Sequence, residues 1–562
     1  MSEQNQISQD LEDKYDQSDF DTPIDCDLQL KNTQVEVGEI FLLDSIKNPQ
    51  QIQTLKIKLN QEYIIGKILK QILKDLREYN NLASFSLHLN DELNKDFRSN
   101  SFDNEKILET TEAILERQNN LDDNTCALPL SDTIKNCKNL STLILELRGN
   151  CFQDKGTSSL SSLFTNCTKL KNLQISLLKT ENKIDDNAAQ DLEKEISSLI
   201  DLTSLQLILY QNIITGKGVF YIAQGIGKCI KLTKLELRLQ KNEIGDQGVS
   251  QIGQILKKLT ELKILILSLW QCQIDDKGAV SIGKGLKRCK KLINLQLNLS
   301  KNLISDKGAI SIGKGLSSCR EVTYLLLFLW GNKISDEGIK AIGEALSSCE
   351  NLIDFLFEIE KNQIKDPGAI SLKNGLSKFK KLLNLQFYIW NNQIGDDGTK
   401  AIAEGISECE KLINLDISFV NNQIGNQGAS CLFEKLSKCK ELSKLKIFLG
   451  ENKIEDFGAL EISQWLENFN NLKELELSLR DNKITDIGHI SIGTSLSKLA
   501  KLMTLILVLS QNEKYLKSSD LANCKNIRIL HLSTILCSSI SQQQYHKRNA
   551  LKIKRLVKLE LI

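Results

Sequence analysis

Residues 292–302 read LINLQLNLSKN, and residues 412–422 (LINLDISFVNN) and 472–482 (LKELELSLRDN) follow the same pattern. In the first stretch the apolar residues alternate with polar ones, so Leu295, Leu297 and Leu299 face one side of an extended chain and Gln296 faces the other. This alternation is typical of a strand with one buried face. The stretch therefore predicts a half-buried β-strand that ends close to its last Asn.

The strand is the first part of a repeat with the template L-x-x-L-x-L-x-L-x-x-N-x-I-x-D-x-G-A-x-x-I-G-x-x-L-x-x-C-x-x. The turn residue recurs every thirty positions without slippage, at Asn212, Asn242, Cys272, Asn302, Asn332, Asn362, Asn392, Asn422, Asn452, Asn482 and Asn512. Self-similarity this strict indicates a solenoid, in which each unit buries its apolar face against its neighbours.

The second part of each repeat predicts a helix. Beyond the turn, Asp306 is placed to cap a helix, and Ala309, Ile312 and Leu316 follow at helical spacing. Successive strands should stack into one parallel sheet over residues 140–512, with the helices on its outer side.

These residues resemble the leucine-rich-repeat family, and within it the ribonuclease-inhibitor-like class, whose repeats pair a strand with a helix. The resemblance covers residues 140–512, which hold thirteen strand motifs. The strand segment here is two residues longer than the family pattern. The resemblance implies an α/β solenoid, a leucine-rich-repeat horseshoe with a parallel inner sheet and outer helices, whose concave face holds partners.

The repeat register divides the chain into four segments. Residues 1–35 are predicted to be an acidic, disordered tail, 36–139 degenerate N-terminal capping repeats, 140–512 regular repeats, and 513–562 shortened C-terminal capping repeats. Degenerate strands are expected at 55–59 (LKIKL) and 85–89 (FSLHL) upstream, and at 527–532 (IRILHL) and 556–561 (LVKLEL) downstream.

Charge and hydropathy indicate a soluble intracellular protein. Residues 1–30 hold nine acids against one base, a net charge of −8, so the remainder carries +1 − (−8) = +9. The acidity argues against a transit peptide, and no apolar segment of a secretory signal follows. Nor does any stretch approach the roughly 18 uninterrupted apolar residues of a membrane-spanning helix.

Cysteine usage agrees with this compartment. One template column holds nine of the fifteen cysteines, and elsewhere it holds Leu or Phe, so it needs an adaptable apolar group and not a metal ligand. Its thiols should be buried and inert. They are Cys137, Cys167, Cys229, Cys289, Cys319, Cys349, Cys409, Cys439 and Cys524.

Enzyme-like strings fall on template positions. Residues 278–285 (GAVSIGKG) and 308–315 (GAISIGKG) end in Gly, where a phosphate loop needs Ser or Thr. The kinase-like tripeptide Asp456-Phe457-Gly458 occupies the D-x-G column, and no H-R-D or V-A-I-K motif accompanies it. Only four histidines occur, without metal-ligand spacing. We therefore predict no enzyme activity, no cofactor and no metal.

The strand face that points away from the buried leucines is aromatic in every second repeat. Three of the four tryptophans recur sixty residues apart and should stand about 10 Å from one another, exposed, with acids between them that include the exposed pair Glu358 and Glu360. Such aromatics are typical of binding hot spots. The structural alternative is that the rings pack on each other, or under Lys and Gln stems, and stabilise the sheet. The candidate partner-binding residues are Trp270, Phe328, Trp330, Glu358, Glu360, Tyr388, Trp390 and Phe448.

The sequence thus favours a non-enzymatic intracellular scaffold that binds a partner protein on its concave face. We expect it in the cytoplasm, alone or as part of an assembly, with no nucleic-acid or membrane partner, because a charge of +9 is thin for so long a body. One alternative is a small-GTPase regulator resembling the Ran GTPase activator, although that family's acidic tract is C-terminal. The other is a structural subunit of a cytoskeletal or ciliary assembly.

Overall fold

The computed structural model describes residues 24–30, 52–59, 84–89, 139–147, 167–177, 184–509, 526–532 and 558–561. The chain divides into two compact units, Met1–Ile244 and Gly245–Ile562. In both units strands alternate with helices through the continuously described residues. This is the α/β solenoid that the repeat predicts.

The first unit contains seven described strands and two described helices. The strands are β1 (Ile24–Leu30), β2 (Ile52–Leu59), β3 (Ser84–Leu89), β4 (Thr142–Leu147), β5 (Asn172–Ser176), β6 (Ser204–Ile208) and β7 (Lys234–Arg238). The helices are α1 (Asp186–Ser198) and α2 (Gly216–Ile226).

The second unit contains eleven described strands and nine described helices. The strands are β8 (Ile264–Ser268), β9 (Asn294–Asn298), β10 (Tyr324–Phe328), β11 (Asp354–Glu358), β12 (Asn384–Tyr388), β13 (Asn414–Ser418), β14 (Lys444–Phe448), β15 (Glu474–Ser478), β16 (Thr504–Val508), β17 (Ile529–Leu532) and β18 (Lys558–Leu561). The helices are α3 (Gly245–Lys258), α4 (Asp276–Leu286), α5 (Asp306–Leu316), α6 (Asp336–Leu346), α7 (Asp366–Leu376), α8 (Asp396–Ser407), α9 (Asn426–Leu436), α10 (Asp456–Leu466) and α11 (Asp486–Leu496).

Within each unit every described strand pairs in parallel with the next strand along the chain. The thirteen strands predicted for residues 140–512 are present as β4–β7 in the first unit and β8–β16 in the second. Leu295 and Leu297 of β9 are fully buried together with Ile312 and Leu316 of α5. The core therefore lies between the sheet and the helices, as the two periodicities predict.

The turn asparagines form a hydrogen-bonded ladder between repeats. The Asn332 side chain donates from Nδ2 to the carbonyls of Leu299 and Leu329, at 3.0 and 2.9 Å. Its Oδ1 accepts the backbone N–H of Ile304 in the preceding repeat at 3.1 Å. One buried side chain thus satisfies three backbone groups that have no partner inside a strand or helix. Asn512 lies outside the described residues.

The predicted role of Asp306 was wrong in one respect, because this residue caps the helix of the following repeat. Its Oδ1 accepts the backbone N–H groups of Ser335 and Gly338 at 2.7 and 2.9 Å, and its Oδ2 accepts the Ser335 hydroxyl at 2.6 Å. Ser335 is the N-cap residue of α6. The carboxylate can approach because Gly338 has no side chain: a Cβ there would lie 2.5 Å from Oδ1.

Strands are present at the positions predicted near both ends of the chain. Strands β2 and β3 include the upstream motifs, and β17 and β18 lie within the downstream ones. Strand β1 falls inside the predicted disordered tail, a difference that follows from the alternation of Ile24, Cys26, Leu28 and Leu30. The other residues of that tail lie outside the described part of the chain.

The described thiols of the cysteine column are buried. Burial raises the pKa of Cys229 to about 11 and that of Cys289 and Cys349 to about 12. The thiol of Cys289 lies 3.4 Å from the Leu256 carbonyl in the preceding repeat. These contacts are those of a packed apolar position. Cys137 and Cys524 lie outside the described residues. None of the described helices is long and apolar enough to cross a membrane.

Candidate protein-interaction surface

We call the sheet face that carries the residues alternating with the buried leucines the open face. Parallel register places Phe328, Glu358 and Tyr388 side by side on β10, β11 and β12. A second row lies two residues further along each chain segment and contains Trp330, Glu360 and Trp390. Backbone hydrogen bonds join its members. The N–H of the residue after Trp330 donates to the Glu360 carbonyl, and the N–H of the residue after Glu360 donates to the Trp390 carbonyl.

The second row brings two of the tryptophans into contact. The ring centroids of Trp270 and Trp330 are 6.4 Å apart at an interplanar angle of 37°. The separation of about 10 Å that we predicted from strand spacing was therefore wrong for this pair. The residue between them in the row is the small and fully buried Ser300. Because Ser300 fills little of the space above its strand, the two indoles can lean together over it.

Two lysines cover the faces of the tryptophans. The Lys301 ammonium lies 5.5 Å from the Trp270 ring centroid and 5.0 Å from that of Trp330. The Lys361 ammonium lies 6.0 Å from the Trp330 centroid and 4.8 Å from that of Trp390. Both distance sets fit cation–π contacts. Both lysines have left-handed backbone, with φ of 47° and 51°.

The sequence interpretation missed these lysines, although a signal was present. Lys241, Lys301 and Lys361 recur sixty residues apart, directly before turn positions, and alternate with the tryptophans. Lys241 lies over Tyr210 in the first unit, with 5.7 Å between its ammonium and the ring centroid. The aromatic row is thus an alternation of rings and cations. This is part of what the structural alternative predicts.

The tryptophans are less exposed than predicted. Trp270, Trp330 and Trp390 are all half-buried, as are Phe328 and Tyr388. The exposed large apolar side chains of the described residues lie elsewhere and include Phe457 and Ile487 near the starts of α10 and α11. A partner would therefore meet ring edges and lysine stems.

The two glutamates are buried, which contradicts the expectation of an exposed pair. Glu358 and Glu360 expose only 6% and 4% of their surface. Burial raises the pKa of both carboxyls, and the proximity of Glu358 raises that of Glu360 further. Aromatic neighbours explain the burial, because Phe328 and Tyr388 flank Glu358 in the first row, whereas Trp330 and Trp390 flank Glu360 in the second.

Beyond Tyr388 the open face is a charged network. Burial and a hydrogen bond to Asp416 raise the pKa of the Tyr388 hydroxyl. Lys446 forms an ion pair with Glu476 at 2.8 Å, on strands β14 and β15. Phe448 lies apart from the other predicted aromatics, since Ser418 separates it from Tyr388 in the row. The structure therefore groups seven of the eight candidates and leaves Phe448 outside.

The enzyme-like strings form contacts between repeats. Asp456 of the kinase-like tripeptide accepts the backbone N–H of Thr485 at 2.7 Å and that of Gly488 at 3.1 Å. Gly308, in one of the phosphate-loop-like strings, donates its N–H to Asp276 at 2.8 Å. Both strings lie in or at the start of repeat helices. These groups act as helix caps.

Comparisons with known proteins agree with this architecture. A family model described as Leucine Rich repeat matches residues 229–253 and 291–313. A solved leucine-rich-repeat protein of Leptospira interrogans is similar in fold, with a TM-score of 0.50 and 17% identity, over 92% of this chain and 98% of that chain.

Two further solved structures show weaker similarity. An internalin of Listeria monocytogenes has a TM-score of 0.43 and 21% identity, over 72% of this chain and 89% of that chain. The leucine-rich-repeat ectodomain of the Arabidopsis receptor kinase HAESA, solved with a peptide hormone, has a TM-score of 0.32 and 16% identity, over 72% and 68%. No curated protein matches the chain at a significant level. The ribonuclease-inhibitor-like class stays a prediction.

Proposed function

We propose that this chain, a leucine-rich-repeat protein, is a non-enzymatic scaffold that binds another protein on the open face of its sheet. The observation that carries the proposal is the group formed by Phe328, Trp330, Tyr388 and Trp390, four adjacent half-buried aromatics around two buried carboxyls. The aromatic rings on the open face do not belong to the solenoid core, because the buried leucines already fill the space between sheet and helices. Rings of this kind dominate the energetics of protein interfaces.

The cation–π contacts are compatible with binding. A lysine that rests on an indole holds the ring in one orientation and keeps its own apolar stem against it. Such a surface is ordered before the partner arrives, so less side-chain freedom is lost on association. The partial burial of Trp330 thus reduces the ring area that a partner can contact. It also reduces the side-chain entropy that is lost on binding.

The cytoplasm is the compartment that we propose. Its support is the burial of the described thiols of the cysteine column, which pack as apolar groups, as expected where thiols are kept reduced. The Ran-activator-like and cytoskeletal or ciliary roles stay predictions. The first would be tested by GTP hydrolysis of small GTPases in the presence of the chain, and the second by its recovery in a detergent-resistant cytoskeletal fraction.

The direct test is affinity purification with mass spectrometry, using the tagged full-length chain and its Trp330→Ala variant. Trp465→Ala is the matched control, because Trp465 is also half-buried but lies on helix α10. We expect proteins retained by the wild type and by Trp465→Ala to be lost from Trp330→Ala. For a partner identified in this way, the affinity loss should be about 2 kcal/mol, roughly 30-fold.

Circular dichroism of each variant separates binding from folding. If Trp330→Ala unfolds the chain while its folded fraction binds the partner normally, the rings are structural. The binding site would then have to lie away from the open face.

A further inference from the structure

Glu360 has a buried oxygen without a hydrogen bond. Its Oε2 is inaccessible and has no partner in the part of the chain that the structure describes. No basic side chain of the described residues forms an ion pair with Glu358 or Glu360, although both are more than nine-tenths buried. Burying a carboxyl without a partner is costly. The pair therefore contains one oxygen, Glu360 Oε2, without a hydrogen bond and has no basic partner within 4 Å among the described residues.

The chain satisfies a similar carboxyl elsewhere with an arginine. Glu236 on β7 is as buried as Glu358, with 6% of its surface exposed. Its Oε1 accepts a hydrogen bond from Nε of Arg238 at 2.6 Å, two residues away on the same face. In the repeat register Glu358 corresponds to Arg238, and the residue two positions beyond Glu358 on the same face is Glu360. The buried carboxyl on β7 thus has a guanidinium two residues away, whereas Glu358 has a second carboxyl there.

A cation already lies close to the pair. The Lys361 ammonium is held between Trp330 and Trp390 only by cation–π contacts, and its side chain is exposed. An exposed lysine can leave such a position at small cost, because contacts of this kind contribute about 0.5–1 kcal/mol at exposed sites. The space between the two indoles is thus a cation position with a removable occupant, and Glu360 lies between the same two tryptophans in the row.

We propose that the open face takes up an arginine side chain of the partner between Trp330 and Trp390, where its guanidinium displaces Lys361 and pairs with Glu358 and Glu360. Arginine fits better than lysine for two reasons. Its planar group stacks on aromatic faces, and its forked donors can reach two carboxyls at once, whereas an ammonium is a compact point charge. The inference rests on the proposed function, and it specifies which chemistry the partner brings.

Pairing changes the protonation of the site. Burial favours the neutral form of both carboxyls, and a guanidinium beside them favours the charged form. Binding should therefore release protons near neutral pH. The other charged or titratable groups that act on the pair or on its neighbour Tyr388 are Lys361 and Asp416.

The test uses the full-length chain and a short acetylated and amidated peptide, Gly-Ser-Arg-Ser-Gly. Two analogues carry citrulline, which is isosteric with arginine but uncharged, or lysine at the central position. We expect saturable quenching of tryptophan fluorescence by the arginine peptide, with both analogues about tenfold weaker or worse. Isothermal titration in buffers of different ionisation enthalpy should show net proton release for the arginine peptide.

Variants connect the signal to the site. Glu360→Gln keeps the shape of the side chain, preserves the fold and should weaken arginine binding by about tenfold. Lys361→Met removes the resident cation and should tighten binding severalfold, a change that a merely structural lysine would not give. The matched controls are Glu350→Gln and Lys340→Met, at exposed positions on the other side of the repeat. Neither should alter the affinity.

Two outcomes would overturn the inference. One is equal binding of the arginine and citrulline peptides, and the other is unchanged arginine affinity in Glu360→Gln. Equal binding of the lysine peptide would overturn the choice of arginine. None of these outcomes touches the proposed function, which fails only if Trp330→Ala retains the partner. A partner lost from Trp330→Ala but kept by Glu360→Gln would therefore refute the arginine site alone.

Discussion

Replacing Gly338 by Ala sets helix propensity against packing between repeats. Propensity alone predicts stabilisation, since Ala is better than Gly inside a helix by about 1 kcal/mol. The structure predicts the opposite sign. A Cβ at residue 338 would lie 2.5 Å from Asp306 Oδ1, 2.8 Å from Ile334 Cγ2 and 3.0 Å from Ala309 Cβ. The carboxylate would have to move, and it would lose its hydrogen bonds to Ser335 and Gly338.

Loss of such a cap costs about 0.5–2 kcal/mol, and overpacking costs about 1–3 kcal/mol. Subtracting the gain in propensity leaves a destabilisation of about 2 kcal/mol for Gly338→Ala. Urea unfolding followed by circular dichroism measures it. The control is a double-mutant cycle with Asp306→Ala, a variant that removes the carboxylate with which the new methyl group collides.

In the Asp306→Ala background the cost of Gly338→Ala should fall by about 1 kcal/mol or more, because the two residues are in contact and their effects cannot add. A stabilised Gly338→Ala protein, or strictly additive variants, would refute the assignment of this column to capping between repeats.

Three further predictions concern the core and its titratable groups. Leu327→Ala, at a fully buried strand position, should lower the free energy of unfolding in urea by about 2–5 kcal/mol, while the folded protein still retains its partner. A loss of partner affinity as large as that of Trp330→Ala would contradict the division between core and open face. His489 is fully buried, and burial lowers its pKa to about 4 although Asp456 and Asp486 act in the other direction. The stability that comes from keeping this imidazole neutral is therefore complete above pH 6.5 and is lost as the pH falls toward 4, about 3 kcal/mol in all. His489→Leu should flatten the dependence of the unfolding free energy on pH in this range. An unchanged dependence would contradict the lowered pKa of His489. A thiol reagent at neutral pH should label the buried column slowly in native protein and rapidly in urea, and rapid native labelling would show that the column is reactive; the residues to follow are Cys229, Cys289, Cys319, Cys349, Cys409 and Cys439.

The fold could be predicted from the sequence because the strand period, the helix period and the turn Asn recur in register, with Cys272 as the one replacement in the series of turn residues. Leu295 and Leu297 follow the strand period, Ile312 and Leu316 follow the helix period, and Asn302 separates them. The direction of helix capping could not be predicted. An Asp before a helical pattern caps its own helix in most proteins, and only the distance between neighbouring repeats decides that this carboxylate reaches the next one.

The sequence predicts which residues lie on the open face but does not predict how their side chains pack against one another. Strand alternation and the sixty-residue spacing assign Trp270, Trp330 and Trp390 to one row. Whether two rings touch depends on the size of the residue between them, and Ser300 leaves room that Glu360 does not. Exposure of the glutamates was predicted from residue type, which fails when bulky neighbours on both sides cover a short carboxyl.

Adjacent repeats satisfy the buried polar groups at the turns and helix starts of this solenoid, and the unpartnered buried oxygens of the described residues include Gln240 Oε1, Ser300 Oγ, Glu360 Oε2, Asp416 Oδ1 and Ser418 Oγ. Asn332 reaches back to the Ile304 N–H, whereas Asp306 reaches forward to Ser335 and Gly338. Each repeat therefore depends on both neighbours. Oε2 of Glu360 receives no such contact from the described residues on either side. In a fold that supplies partners so regularly, a buried carboxyl oxygen left without one, close to a cation held on two indoles, is better explained by a group that arrives from outside than by imperfect packing.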